Sequence, residues 1–104
     1  MGVKLEEGFI RIYLNRYAVI VKIPEPVKLT EEELEKEPVK SWLELLEEIE
    51  EDARARALAA LTAQLFSRRY GLVKVIVAAR YPPPEPAAIV HAVNGLVLPD
   101  PSPN

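Results

Sequence analysis

The sequence predicts an α+β fold, one antiparallel sheet with helices packed on one face, in the element order β-β-α-α-β-β. Three observations carry this. Short apolar runs suited to strands stand at both ends of the chain, at residues 8–14 and 17–23 and again at 72–81 and 87–98. Between them lie 32 positions, Val39 to Tyr70, with no Gly or Pro and many strong helix formers (Leu, Ala, Glu, Arg). The last two runs are joined by a few proline-rich residues, too short for a parallel crossover, so they pair antiparallel.

Residues 1–7 read as a polar lead. GFIRIYL (8–14) puts Ile10, Ile12 and Leu14 on one face and Phe9, Arg11 and Tyr13 on the other, the pattern of a half-buried strand. Asn15-Arg16 is short enough for a hairpin turn. YAVIVKI (17–23) is the second strand, ended by Pro24 and Pro26, which donate nothing to a ladder. Thr30 with Glu33 forms a capping box that opens a short helix. That helix stops at Glu37, because a residue before proline is disfavoured in the α region.

The long segment opens with Pro38 in its first turn and closes before Gly71. Six acids (Glu44, Glu47, Glu48, Glu50, Glu51, Asp52) fill its first half, and Arg68 and Arg69 lie in its last turn, which suits the helix dipole. Its apolar stripe changes side. Trp42, Leu46, Ile49 and Ala53 define one face, and Leu58, Leu61 and Leu65 another. Ala55, Ala59, Ala63, Phe66 and Tyr70 form a further strip. A straight helix of this length would reach about 48 Å, against about 27 Å for an eight-residue strand. Either it breaks near Glu51–Asp52 or its second half is covered on two sides; we expect the break. Leu58, Leu61 and Leu65 are then expected to cover the sheet, leaving Ala59, Ala63, Phe66 and Tyr70 to meet another chain.

LVKVIVAARY (72–81) is the third strand, with Val73, Val75, Val77 and Ala79 on one face and Lys74, Ile76 and Arg80 on the other. PPPEP (82–86) reads as a stiff turn. AAIVHAVNGLVL (87–98) is the fourth strand, with an interruption at Asn94-Gly95. Residues 1–98 are expected to form a single α+β domain and 99–104 a flexible tail.

Composition narrows the function classes. Of 104 residues, 49% are apolar and 28% charged, which argues against disorder. No apolar run approaches the ~20 residues of a membrane span, and no signal peptide opens the chain, so a cytoplasmic protein without membrane partners is expected. The absence of Cys excludes disulfides and thiolate metal sites. Glu-rich helices with Arg, ten prolines and one Met fit a thermophilic composition. The net charge of −3 hides an asymmetry. Residues 25–52 hold twelve acids and three bases, net −9, while the rest holds four acids and ten bases, net +6. Segregated charge of this kind suggests an anionic partner on the basic part.

Catalytic material is scarce. His91 is the only histidine, and the clustered glutamates lack an EF-hand loop or a His partner. The four glycines form no phosphate-cradling loop, and no Ser, His and Asp suggest a triad. No catalytic residue, metal site or cofactor is expected. The basic set says more. If the aliphatic strand residues face the helices, Phe9, Arg11, Tyr13, Ile20, Lys22, Lys74, Ile76 and Arg80 share the opposite face, with four bases, two aromatics and no acid. Cations there neutralise phosphates and aromatics stack on unpaired bases. Arg16, Arg68 and Arg69 extend this set. Apolar and aromatic residues outside a sheet suit a protein interface as well.

A family resemblance rests on NRYAVIVKI (15–23), LTEEEL (29–34), LFSRRYG (65–71), VKVIVAARY (73–81) and AAIVHAV (87–93). In types and spacings these segments resemble archaeal ribonuclease P protein component 2, over residues 15–93. Arg16-Tyr17 fits the family's strand entry, and Ile89-Val90-His91 fits its returning strand, with His where a base is usual. The acidic helix around 38–52 departs from the pattern as an insertion, and the family's C-terminal helix and closing strand are missing. The strand at 8–14 stands where it would replace that strand at the sheet edge. The resemblance implies an RNA-recognition-like α/β sandwich. It further implies partnership with another ribonuclease P protein subunit (component 3), and assistance to a catalytic RNA that removes 5′ leaders from precursor tRNA.

Three functions follow as expectations. The first is a non-catalytic RNA-binding subunit of ribonuclease P, with Arg11, Tyr13, Arg16, Lys22, Lys74 and Arg80 on RNA. The second is a protein-interaction or self-association module using Ala59, Ala63, Phe66 and Tyr70. The third is a sequence-tolerant single-strand binder that needs no protein partner.

Overall fold

Period-two alternation of aliphatic residues builds a sheet of six strands that follow one another in chain order, every neighbouring pair antiparallel. The structure is a computed structural model and describes residues 2–6, 8–24, 27–80, 86–93 and 95–98. The strands are β1 (Gly2–Glu6), β2 (Phe9–Tyr13), β3 (Tyr17–Lys22), β4 (Leu72–Ala79), β5 (Pro86–Val93) and β6 (Leu96–Leu98). Three helices, α1 (Glu31–Glu35), α2 (Val39–Leu45) and α3 (Glu51–Tyr70), occupy the connection between β3 and β4. The α+β class, with an antiparallel sheet and helices on one face, is as the sequence predicts. A strand is added at each end and a third helix within. Among the described residues no helix is long and apolar enough to cross a membrane.

The two added strands have plain causes. GVKLE alternates Val3 and Leu5, which pack on the core, with exposed Lys4 and Glu6. Five residues with two modest apolar side chains look like a polar lead until β2 supplies a partner. At the other end the expected interruption separates two strands, β5 ending at Val93 and β6 beginning at Leu96, and the two pair antiparallel. Gly95 has φ +86°, a backbone conformation that glycine adopts without steric cost. The proline-rich turn at 82–85 and the tail at 99–104 lie outside the described residues.

The expected break in the long helical segment is present. α2 ends at Leu45, and α3 restarts at Glu51. The corner is held by Arg54, whose guanidinium donates to the Leu46, Glu47 and Ile49 carbonyls at 3.0, 2.5 and 3.0 Å, just past the end of α2. The break lets a 20-residue helix of about 30 Å lie across the sheet, over β3, β4 and β5, instead of overshooting it. Glu51, the first residue of α3, accepts from the Asn15 and Arg16 backbone N–H groups at 2.7 and 3.0 Å, tying the β2–β3 turn to the helix start. At the other end Gly71, with φ +91°, turns the chain into β4 while its N–H donates to the Ser67 carbonyl. The short helix is capped by Thr30, whose hydroxyl accepts from the Glu33 N–H at 3.2 Å.

The core gathers Ile10, Ile12, Leu14, Val19, Val21, Ile23, Val73, Val75 and Val77 from the strands, with Leu34, Val39 and Leu43 from the first two helices. From α3 it takes Ala55, Leu58, Ala59, Ala63 and Phe66. This corrects the expectation that Ala59, Ala63, Phe66 and Tyr70 face another chain. Ala59, Ala63 and Phe66 are buried, and Tyr70 is half-buried with its ring stacked on Phe66 at 6.3 Å between centroids. The i, i+3, i+4, i+7 stripe 55–58–59–62–63–66 faces the sheet. Its alanines let the helix axis come close, and the branched strand residues fill the space. Leu58 belongs to this stripe, whereas Leu61 and Leu65 lie only half-buried beside it. Thr62 is fully buried without penalty, because its hydroxyl donates to the Leu58 carbonyl at 2.7 Å.

A candidate nucleic-acid interface on the open sheet face

The face of the sheet away from the helices is covered by no element among the described residues. Register sets its rows. Lys4 stands opposite Arg11, Arg11 opposite Ile20, and Ile20 opposite Ile76. In the next row Glu6 is opposite Phe9, Phe9 opposite Lys22, and Lys22 opposite Lys74. Tyr13 pairs with Ala18, and beyond β4 the Arg80 guanidinium sits 5.2 Å from the centre of the Tyr13 ring.

Five of the six predicted contact residues, Arg11, Tyr13, Lys22, Lys74 and Arg80, are therefore brought onto one face. Arg16 joins them at its corner: it lies exposed in the β2–β3 turn, and its carbonyl accepts from the Arg80 N–H at 2.8 Å. Arg80 also donates through its side chain to the Leu14 carbonyl at 2.6 Å. Lys22 and Lys74 are both exposed and take part in no ion pair among the described residues. Like charges directly opposite one another on a sheet are mildly destabilising, and a bound anion relieves that repulsion.

Three features depart from the reading of the sequence. Lys4 belongs to this surface; the alternation in GVKLE was the signal for it. The face is not free of acid, because Glu6 comes with β1, its carboxylate 3.2 Å from Arg11 Nε in an ion pair too poorly aligned to count as a hydrogen bond. And the aromatics are not bare, since the Arg11 guanidinium lies 5.7 Å from the centre of the Phe9 ring, as Arg80 lies near Tyr13. A base arriving here meets a guanidinium–arene pair, and guanidinium planes stack on bases as arenes do. Arg69, in contrast, is committed on the helix layer to Glu37, at 3.0 Å. Arg68 runs beside the β5–β6 turn, where a Cβ on Gly95 would lie 2.5 Å from its Cγ.

The charge asymmetry of the sequence thus becomes geometric. Glu31, Glu32, Glu33 and Glu35 are exposed on the helix side, as are Glu44, Glu47, Glu48 and Glu50. Among the described residues the sheet side carries Lys4, Arg11, Lys22, Lys74 and Arg80 against one acid, Glu6. Among the described residues no group of three or more His, Cys, Asp or Glu side chains is placed to hold a metal ion. Comparison of the chain with protein-family models, with curated proteins and with solved structures gave no match.

Proposed function

We propose that the open sheet face binds RNA, unpaired nucleotides lying across β2, β3 and β4. On this reading the chain is a non-catalytic, cytoplasmic protein subunit of a ribonuclease P-type assembly, alongside another protein subunit or a second copy. The observation that carries RNA binding is the in-register Lys22–Lys74 pair, two cations side by side that form no ion pair among the described residues, on a face whose one described acid already serves Arg11. The narrower assignment to ribonuclease P rests on the resemblance in types and spacings over residues 15–93. No water-activating residue set is proposed, so the chemistry belongs to the RNA.

Gel shifts with precursor tRNA, the cognate catalytic RNA and random single strands test the reading, with Lys22→Gln/Lys74→Gln beside Lys36→Gln as control. Single-stranded phosphate contributes about 0.7 to the log–log salt slope per contact. The double variant is expected to lose about 1.4 of slope and roughly 15-fold in affinity near 0.15 M salt. Equal losses in the Lys36 control mean that bulk charge, not this face, governs binding. The finer assignment requires that the protein, with the other subunit, lower the magnesium needed for precursor cleavage. An unchanged requirement removes ribonuclease P while leaving RNA binding standing.

A protein interface on the same face is the second reading. It is favoured by half-buried Ile20 and Ile76, adjacent at the centre of the face, where RNA offers them little.

A further inference from the structure

The large hydrophobic side chains exposed among the described residues are Leu45 (78%), Ile49 (41%), Leu72 (56%) and Val93 (36%), and they fall into two patches. Leu45 and Ile49 lie where α2 gives way to α3, among the exposed carboxylates of Glu44, Glu47, Glu48 and Glu50. This corner is preformed, because Arg54 pins three of its carbonyls. Leu72 and Val93 stand opposite one another at one end of the open sheet face. Beside them Lys22, Pro24, Leu72 and Lys74 line a shallow depression.

We propose that the chain associates with a second copy of itself head to tail, the acidic apolar corner of one molecule seating on the basic apolar end of the next molecule's sheet. The occupant is argued from complementarity. One patch is aliphatic with a carboxylate rim, the other aliphatic with an ammonium rim, and this one chain carries both. A patch of either kind does not complement itself, since apposing two acidic or two basic rims brings like charges together. The acidic corner lies at the end of the strands marked by the β2–β3 turn, on the helix side, and the basic patch lies at the opposite end on the open sheet face. One two-fold contact therefore does not engage both; the contact is heterologous and propagates into a ring or an open chain. With four aliphatic anchors and charged rims it is weak and salt-sensitive. Lys22 and Lys74 are shared with the proposed RNA surface, so RNA and a second copy compete for them, but self-association does not depend on RNA binding.

The test is sedimentation velocity on RNA-free protein over a hundredfold concentration range at low and high salt. The weight-average mass is expected to rise with concentration at low salt and to return to monomer at high salt. Leu45→Lys/Glu48→Lys blocks one patch and Leu72→Glu/Lys74→Glu the other, all at exposed positions, with circular dichroism to verify the fold. Glu47→Lys/Glu48→Lys, which alters only rim charge, is the substitute where the first pair unfolds. Each variant alone should stay monomeric. Their equimolar mixture should form a discrete heterodimer through the one intact patch on each and little beyond it, because the two altered patches, although their reversed charges attract, have lost the Leu45 and Leu72 anchors. A wild type that is monomeric throughout, a variant that dimerises alone, or association that neither variant affects would each overturn the proposal. Because no RNA is present, its failure is separate from failure of the RNA reading.

Discussion

Phe66 is the residue on which the helix–sheet packing is most directly tested. It is fully buried, it stacks on Tyr70, and it closes the sheet-facing stripe of α3. A buried phenylalanine removes 150–250 Å² from water, roughly 4–6 kcal/mol at ~25 cal/mol per Å² as an upper bound. Truncation to Ala forfeits most of that and leaves a void, for an expected loss of about 3–5 kcal/mol. Against a total stability of about 5–15 kcal/mol for a domain of this size, that is roughly a fifth or more. In urea, at a slope of about 1.5 kcal/mol/M, the midpoint should fall by roughly 2–3 M. Phe66→Leu, which keeps most of the volume, should cost about 1.5 kcal/mol or less. Phe66→Glu should not fold, because it places a carboxylate in an apolar core with no cation to meet it. A Phe66→Glu protein that is folded and monomeric, or a Phe66→Ala midpoint within about 0.5 M of wild type, would refute the packing and return Phe66 to an interface.

The other predictions concern junctions. Glu51→Ala frees the Asn15 and Arg16 N–H groups to water and removes a carboxylate from the start of α3; about 1–2 kcal/mol should be lost by urea titration, with Glu51→Gln recovering part. Gly95→Ala combines a positive φ with a Cβ crowding Arg68, so a loss of about 1–2 kcal/mol is expected, the steric part of which Arg68→Ala should restore. The Tyr70 hydroxyl is raised above its ordinary value, first by burial and then by the nearby Glu33 carboxylate. The folded state thus holds this proton more tightly than the unfolded chain. Its contribution is fully present below the ordinary value of about 10 and is lost as pH rises through the higher folded value. Tyr70→Phe should accordingly flatten the alkaline fall in stability, read as urea midpoints on either side of about pH 10. An unchanged alkaline limb would show that another group carries it.

Much of the candidate surface was legible because strand alternation is local. Once Ile10, Ile12, Val73, Val75 and Val77 are assigned to the core, the pleat sends Arg11, Tyr13, Lys74 and Ile76 to the other side without further information. The capping box at Thr30, the break in the long helical segment and the stop at Gly71 are likewise properties of neighbouring residues, and each stands in the structure.

Three matters were decided only when distant segments met. β1 is a strand because β2 lends it a ladder; five residues cannot hold an extended conformation alone, so the alternation in GVKLE puts Lys4 and the acid Glu6 on the sheet face only once that pairing forms. The role of Glu51 depends on a turn 35 and 36 residues earlier in the chain. The orientation of α3 depended on how closely the helix approaches the sheet. Read by hydrophobicity alone, Leu61 and Leu65 belong inside and Ala59 and Ala63 at a margin. Over a sheet already thick with valine and isoleucine, small residues permit closer contact and bury more surface in total, so the alanine side turned inward and carried Phe66 with it. The sequence by itself determined which residues pair within a turn or a pleat. The tertiary structure decided which face is inside, because close packing is a property of two surfaces and each segment carries only one of them.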